Sequence, residues 1–272
     1  MRVYDGVSGQ PSSFDALVST AARADVVFFG EQHDDPETHF AEFALLEAIG
    51  RVRPIVVVSL EMFERDVQPL LDDYLAGRVS EAEFLAKSRP WERYATDYRA
   101  LVVLARARGW PVVAANVPRP IASAVGRKGL AALDTLPAAS RAWAARDLSC
   151  PRDEYFRRFA ETMSGHGGPA AGADTAAANA MTWRFYEAQC VKDETMAESI
   201  ANGASASKDA IVVHFNGSFH SDHGLGTAER VRRRMPGAKS VVVTALPVAT
   251  LTAQPPRGRA DFVILTLRPP AK

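Results

Sequence analysis

Residues 25–35 read DVVFFGEQHDD. The apolar run is too short for a stable helix, and a glycine and a polar cluster close it, as at the end of a buried strand. Runs of the same kind recur at 54–61, 111–116, 210–215 and 239–246, with a weaker one at 261–267. They are rich in β-branched residues and alternate with longer helical patterns. This predicts an α/β fold with a mostly parallel central sheet flanked by helices.

The intervening segments support that reading. A helix is expected over 36–50, opened by Pro36 and closed by Gly50, with Phe40, Phe43, Leu46 and Ile49 on its apolar face. Shorter helices are expected over 66–75, over 80–87 with a Ser80/Glu83 capping box, and over 98–108. Residues 127–203 hold no strand pattern and are rich in alanine. They read as a helical insertion between the third and fourth strands, large enough for a lid or small subdomain. Within it, 164–173 (SGHGGPAAGA) reads as a loop. The whole chain, 1–272, is expected to be a single domain.

Composition excludes some classes of function. Lys plus Arg equal Asp plus Glu at 32 each, so no global field favours nucleic acid. Arg230, Arg232, Arg233 and Arg234 read as a solvated helix face. No stretch is apolar and long enough to span a bilayer, and the first residues contain no apolar core of a signal peptide. Cys150 and Cys190 neither demand nor exclude a disulfide, and buried free thiols are the default expectation.

In open parallel sheets, ligands bind beyond the carboxyl ends of the strands. The first run ends in Glu31, His33 and Asp34, the second in Glu61, the third in Asn116 followed by Arg119, and the fourth leads to His220, Asp222 and His223. Carboxylates and imidazoles converging from separate strands suit a divalent metal or proton transfer. His39 and His214 are read as hydrogen-bonded core histidines. Two histidines follow a glycine at the same spacing, Gly30-x-x-His33 and Gly217-x-x-His220. Gln189, Asp193, Met196 and Ile200 share a helix face, from which Gln189 and Asp193 reach toward the strand ends, with Arg93 or Arg119 as partners for the acid.

These stretches resemble the ChaN family of haem-binding uptake proteins in the Tiki superfamily, which also contains TraB-like and erythromycin-esterase-like groups. The resemblance is carried by VVFFGEQHDDPETHF, VVSLEMFERDVQPLLDDYLAG, WERY, DYRAL, PVVAANVPRP, KDETMAESI and NGSFHSDHGLG, from about Tyr4 to Val248. It implies haem binding for bacterial iron uptake, a periplasmic or membrane-anchored location, and a homodimer as one possible assembly. Haem requires an apolar slot, an axial ligand and cations for its propionates. The helical insertion offers Tyr155 or His166 as the axial ligand, with Met163, Phe156, Met181, Trp183, Phe185 and Tyr186 for the slot and Arg152, Arg157 or Arg158 near the propionates. A competing expectation is a metal-dependent hydrolase. There Glu31, His33, Glu61 and His220 do the chemistry, and His33, Glu61 and His220 hold the ion. A binding module without chemistry is a third. No G-x-S-x-G elbow points to a serine hydrolase.

Overall fold

The computed structural model describes residues 1–165, 175–206 and 209–268. Its sheet contains eight strands: β1 (Arg2–Asp5), β2 (Pro11–Ser12), β3 (Val26–Glu31), β4 (Val56–Glu64), β5 (Val112–Asn116), β6 (Ile211–Gly217), β7 (Ser240–Val248) and β8 (Phe262–Leu267). Their order is β2-β1-β8-β7-β3-β6-β4-β5. The strands from β8 to β5 are mutually parallel, and β1 and β2 add an antiparallel edge. All six expected strands are present. The two that sequence reading missed are short and lie at the edge.

Period-two alternation divides the strand side chains between two layers. Val27 and Phe29 face one layer with Val56, Val58 and Leu60. There they meet α1 (Phe14–Ala21), α2 (Pro36–Val52), α3 (Gln68–Leu75), α4 (Glu81–Ser88) and α5 (Arg99–Arg108). Val26, Phe28, Val57 and Val212 face the other way. Beyond β5 come α6 (Arg119–Lys128), α7 (Ala138–Arg141), α8 (Glu154–Gly165) and the long α9 (Thr175–Ala206); α10 (Gly226–Arg234) follows β6. Ala197 and Ile200 of α9, with Ala228 and Val231 of α10, cover that second face. The expected insertion between the third and fourth long strands is thus helical, and α9 runs along the sheet.

Three local expectations are corrected. In α2 the buried stripe is Thr38, Ala41, Glu42, Leu45, Leu46 and Ile49, while Phe40 is exposed. The helix also runs past Gly50 to Val52. Arg230 is buried rather than solvated, because it points from α10 toward Glu194 of α9. Cys150 and Cys190 form a disulfide, which ties the segment before α8 to the middle of α9. The sequence separation of 40 residues closes a long loop. Reduction, or the double change Cys150→Ser with Cys190→Ser, is expected to cost about 2–4 kcal/mol of stability, read from urea unfolding with and without reductant.

Candidate functional site

The two Gly-x-x-His turns leave neighbouring strands at the same level, since β3 and β6 pair with Glu31 opposite Gly217. Each motif glycine makes room for the other turn. A Cβ on Gly217 would lie 2.8 Å from His33 Nε2, and one on Gly30 would lie 2.9 Å from the Ser218 Cα. The glycines are therefore required by close approach of the two turns.

Glu31, at the end of β3, is buried and anchors the first network. His33 Nδ1 lies 2.5 Å from Glu31 Oε1, and the Tyr98 hydroxyl donates to the same oxygen at 2.9 Å. The His33 side chain stays 46% exposed, and its Nε2 has no hydrogen-bond partner among the described residues. Burial alone would lower the His33 pKa. The hydrogen bond and charge of Glu31 outweigh it, and the pKa is raised. Beneath Glu31 lie His39 and Glu42 of α2, with His39 Nδ1 2.9 Å from Glu42 Oε2. The core reading of His39 holds for its burial.

Glu61 of β4, His220 and Asp193 of α9 form the second network. His220 Nδ1 sits 2.7 Å from Asp193 Oδ1, and Nε2 sits 3.3 Å from Glu61 Oε1. Glu61 Oε2 accepts from the Gly217 backbone at 2.8 Å. Asp193 also accepts from the Thr227 and Tyr155 hydroxyls, at 2.7 and 2.8 Å. Burial opposes charge on His220, but the two flanking carboxylates prevail and raise its pKa to about 10. Burial likewise opposes charge on Glu61, yet His220 and His33 hold its pKa well below the usual carboxylate range. The result is a buried imidazolium between two carboxylates. Gln189 and Asp193 do reach this site, as their helix face implied, with Gln189 Nε2 3.2 Å from His220 Nδ1. The partners of Asp193 are His220, Tyr155 and Thr227, not Arg93 or Arg119.

A two-lobed cleft opens over these networks. One lobe, of about 580 Å³, is lined by His33, Glu61 and His220 together with Asn116, Arg119, Arg127, Phe185 and Lys192. The other, of about 780 Å³, shares His33, Trp91 and Arg119 and adds Arg89, Arg93 and Tyr98. Both lie within the range of small-molecule sites. The Trp91 ring stands edge-on to His33 at 4.9 Å between centroids. Thus His33, Glu61 and His220, expected at neighbouring strand ends, come together on one face. Asn116 donates to the Glu61 carbonyl at 3.1 Å, and Arg93 is held by Asp97.

Other candidates lie elsewhere. Asp34 turns outward to pair with Arg268 at 2.8 Å. Asp222 pairs with Arg259 at 2.7 Å, and His223 Nε2 meets Arg158 Nη1 at 3.0 Å. Asp222, Arg259, His223 and Arg158 border a separate cavity of about 210 Å³ beside Tyr155, below the usual range for a drug-sized ligand. Tyr155 is 1% exposed and commits its hydroxyl to Asp193, so it serves the His220 network from within the core. Met163 is half-buried and packs near Tyr155 and Phe159. His166 lies outside the described residues. His214 is a buried core histidine at 2.9 Å from the Ser59 hydroxyl, and burial lowers its pKa to about 3. Phe185, offered from the insertion, does line the cleft, whereas sequence reading missed Trp91 and Lys192, whose positions depend on how α9 and the loop before α5 fold over the strand ends.

A sequence model described as "Haem-binding uptake, Tiki superfamily, ChaN" matches residues 17–231, most of the chain. The chain belongs to the ChaN family. A search of the curated proteins finds no match. Among solved structures, "Cofacial heme binding to ChaN of Campylobacter jejuni" superposes with a TM-score of 0.72 at 17% identity, covering 96% of this chain and 95% of that one. The erythromycin esterase EreC, in its open conformation, gives a TM-score of 0.52 at 11% identity, covering 91% of this chain and 77% of that one. At these identities both likenesses show a shared fold. In this ChaN-family chain, the fold places both Gly-x-x-His turns at the floor of the cleft. No helix among the described residues is long and apolar enough to cross a membrane.

Proposed function

We propose that this chain binds haem in the two-lobed cleft, as a step in bacterial haem and iron uptake, with His33 as an iron ligand. The observation that carries the reading is the half-exposed His33 ring, held at Nδ1 by Glu31 and bare at Nε2, where the two lobes meet. The residues present fit the group. Trp91 and Phe185 supply apolar walls, an imidazole is available, and Arg89, Arg119, Arg127 and Lys192 supply cations suited to propionates. When bound, haem would bring a redox-active iron centre to the cleft. The protein's own part is to hold His33 in one orientation through Glu31 and Tyr98.

This reading moves the ligand away from Tyr155 and the helical insertion, though α9 of that insertion lends Phe185 and Lys192 to the wall. We also read 1–272 as a single domain, a reading supported by the smaller lobe, which draws Arg127, Phe185, Ala188 and Lys192 from the segment 127–203. The disulfide supports an oxidising compartment, in keeping with a periplasmic or membrane-anchored location. The family favours haem uptake over the metal-dependent hydrolase.

Titration of the purified protein with haemin, followed at the Soret band, tests the assignment. His33→Ala is expected to weaken binding by at least about tenfold and to shift the band. Wild-type affinity and spectrum in that variant would remove His33 from the proposal. Gel filtration of the loaded protein reads whether a second copy joins.

A further inference from the structure

A separate set of ligating side chains lies beneath the cleft, on the far side of Glu31. Glu31 Oε2 is buried, receives no hydrogen bond, and stands 3.2 Å from His39 Nδ1. Glu42 Oε2 stands 2.9 Å from the same nitrogen, and Glu42 Oε1 is likewise buried without a hydrogen bond. One ligand atom from each of Glu31, His39 and Glu42 can be chosen so that all lie within 4.8 Å of one another.

The polarity of the His39 ring decides what belongs between them. Its Nε2 faces two acceptors, the His33 carbonyl oxygen at 3.2 Å and Asp97 Oδ2 at 3.3 Å. With the N–H on Nδ1, the ring would donate to Glu42; with the N–H held on Nε2 by those acceptors, the Nδ1 lone pair instead turns toward the two carboxylates. Lone pairs converging from three groups repel unless a cation lies among them. A histidine whose second N–H is given to a backbone carbonyl or carboxylate is also the arrangement that orients metal ligands.

We propose that Glu31, His39 and Glu42 bind a divalent first-row transition ion. One imidazole nitrogen and two carboxylate oxygens suit zinc or manganese, and three protein ligands leave a position for water. The set is distinct from the His33, Glu61 and His220 face and does not rest on haem binding. A cavity of about 550 Å³, lined by His39, Phe40, Arg93 and Asp97, touches the His39 side of the set. The rival occupant is a proton. Burial, with the neighbouring Glu31 charge, pushes the Glu42 carboxyl well above its usual range when no ion is present.

The test uses haem-free protein, stripped with a chelator, equilibrated with Zn²⁺ alone, desalted and submitted to elemental analysis. The expected result is a stoichiometric ion that survives desalting, with Co²⁺ giving visible ligand-field bands in its place. Glu42→Gln is expected to abolish retention while Glu61→Gln keeps it, with circular dichroism confirming both folds. Should Glu42→Gln fail to fold, the wild-type stoichiometry and the Glu61→Gln comparison still decide. A stripped wild type that takes up no Zn²⁺ or Co²⁺ overturns the proposal, because the gap then holds only a proton. Loss of the ion in Glu61→Gln overturns it too, since the ion would then sit in the cleft.

Discussion

Replacing His220 by alanine is expected to destabilise the protein by about 3–5 kcal/mol, among the largest effects of any single change in the chain. Among the described residues, His220 is the only positive charge set directly between Glu61 and Asp193, and all three side chains are buried. Its loss strands two carboxylates in a medium of low polarity. Asp193 keeps the Thr227 and Tyr155 hydroxyls, and Glu61 keeps the Gly217 N–H, but these donors carry no full charge. Urea unfolding should show the loss, and the melting temperature should fall on the order of 10 °C. His220→Gln separates charge from packing, because it fills similar space without the charge.

The same charge fixes the pH dependence. The His220 pKa rises from 6.5 to about 10 on folding, so the native state binds the proton more tightly than the unfolded chain. Its contribution is complete below about pH 6.5 and is lost as pH rises toward 10. Glu61 and Asp193 have lowered values, so their contributions stand above the ordinary carboxylate range and fade as pH falls. Wild-type stability should therefore decline between pH 7 and 10, and His220→Gln should show a flatter profile. Matching alkaline slopes in the two proteins would discard the buried imidazolium.

Glu194→Ala is expected to cost a comparable 3–5 kcal/mol. Glu194 is 1% exposed and gathers Arg233 at 2.6 Å, Arg234 at 2.5 Å and Arg230 at 3.3 Å, along with the Ser149 N–H at 3.1 Å. Arg233 can turn to water when the carboxylate is gone. Arg230 cannot, being buried beside Cys190 and under the Tyr155 ring, with its guanidinium 5.3 Å from the ring centre. The variant takes from a buried cation the carboxylate it pairs with, leaving only the more distant charge of Asp193, and α10 keeps Thr227 as a polar tie to α9. Glu194→Gln keeps an acceptor for Ser149 and should lose less. Equal losses in the two variants would argue that packing, not charge, dominates.

The contrast between β3 and α10 shows what the sequence could disclose. Val26 to Phe29 are buried on both faces, so the strand is continuously apolar and readable without its neighbours. The arginines of α10 look alike in sequence, and only their placement against α9 and α8, with Cys190 and the Tyr155 ring beside Arg230, selects that one for burial. Glu31, His33, Glu61 and His220 were legible because a parallel sheet brings strand ends to one edge whatever the loops do. Of the apolar walls, Phe185 could be offered from its place in the insertion, whereas Trp91 could not, because it reaches the cleft through a connection whose path local periodicity does not specify. His39 and Glu42 carried a usable sign, since spacing three apart on a buried helix face puts two polar groups side by side in the core. The Cys150–Cys190 bond was hidden for another reason. Two cysteines forty residues apart meet only if α9 returns past the start of α8.

The level pairing of β3 with β6 constrains how this site can be altered or transplanted. A residue gained or lost inside either strand would exchange its inward and outward side chains, so the two histidine turns would no longer meet. The connecting segments are outside that constraint, because the hydrogen-bonded ladder, not loop length, sets the meeting point. Grafting the pair onto another parallel sheet would require moving both strands together, as one cassette with its internal alignment intact.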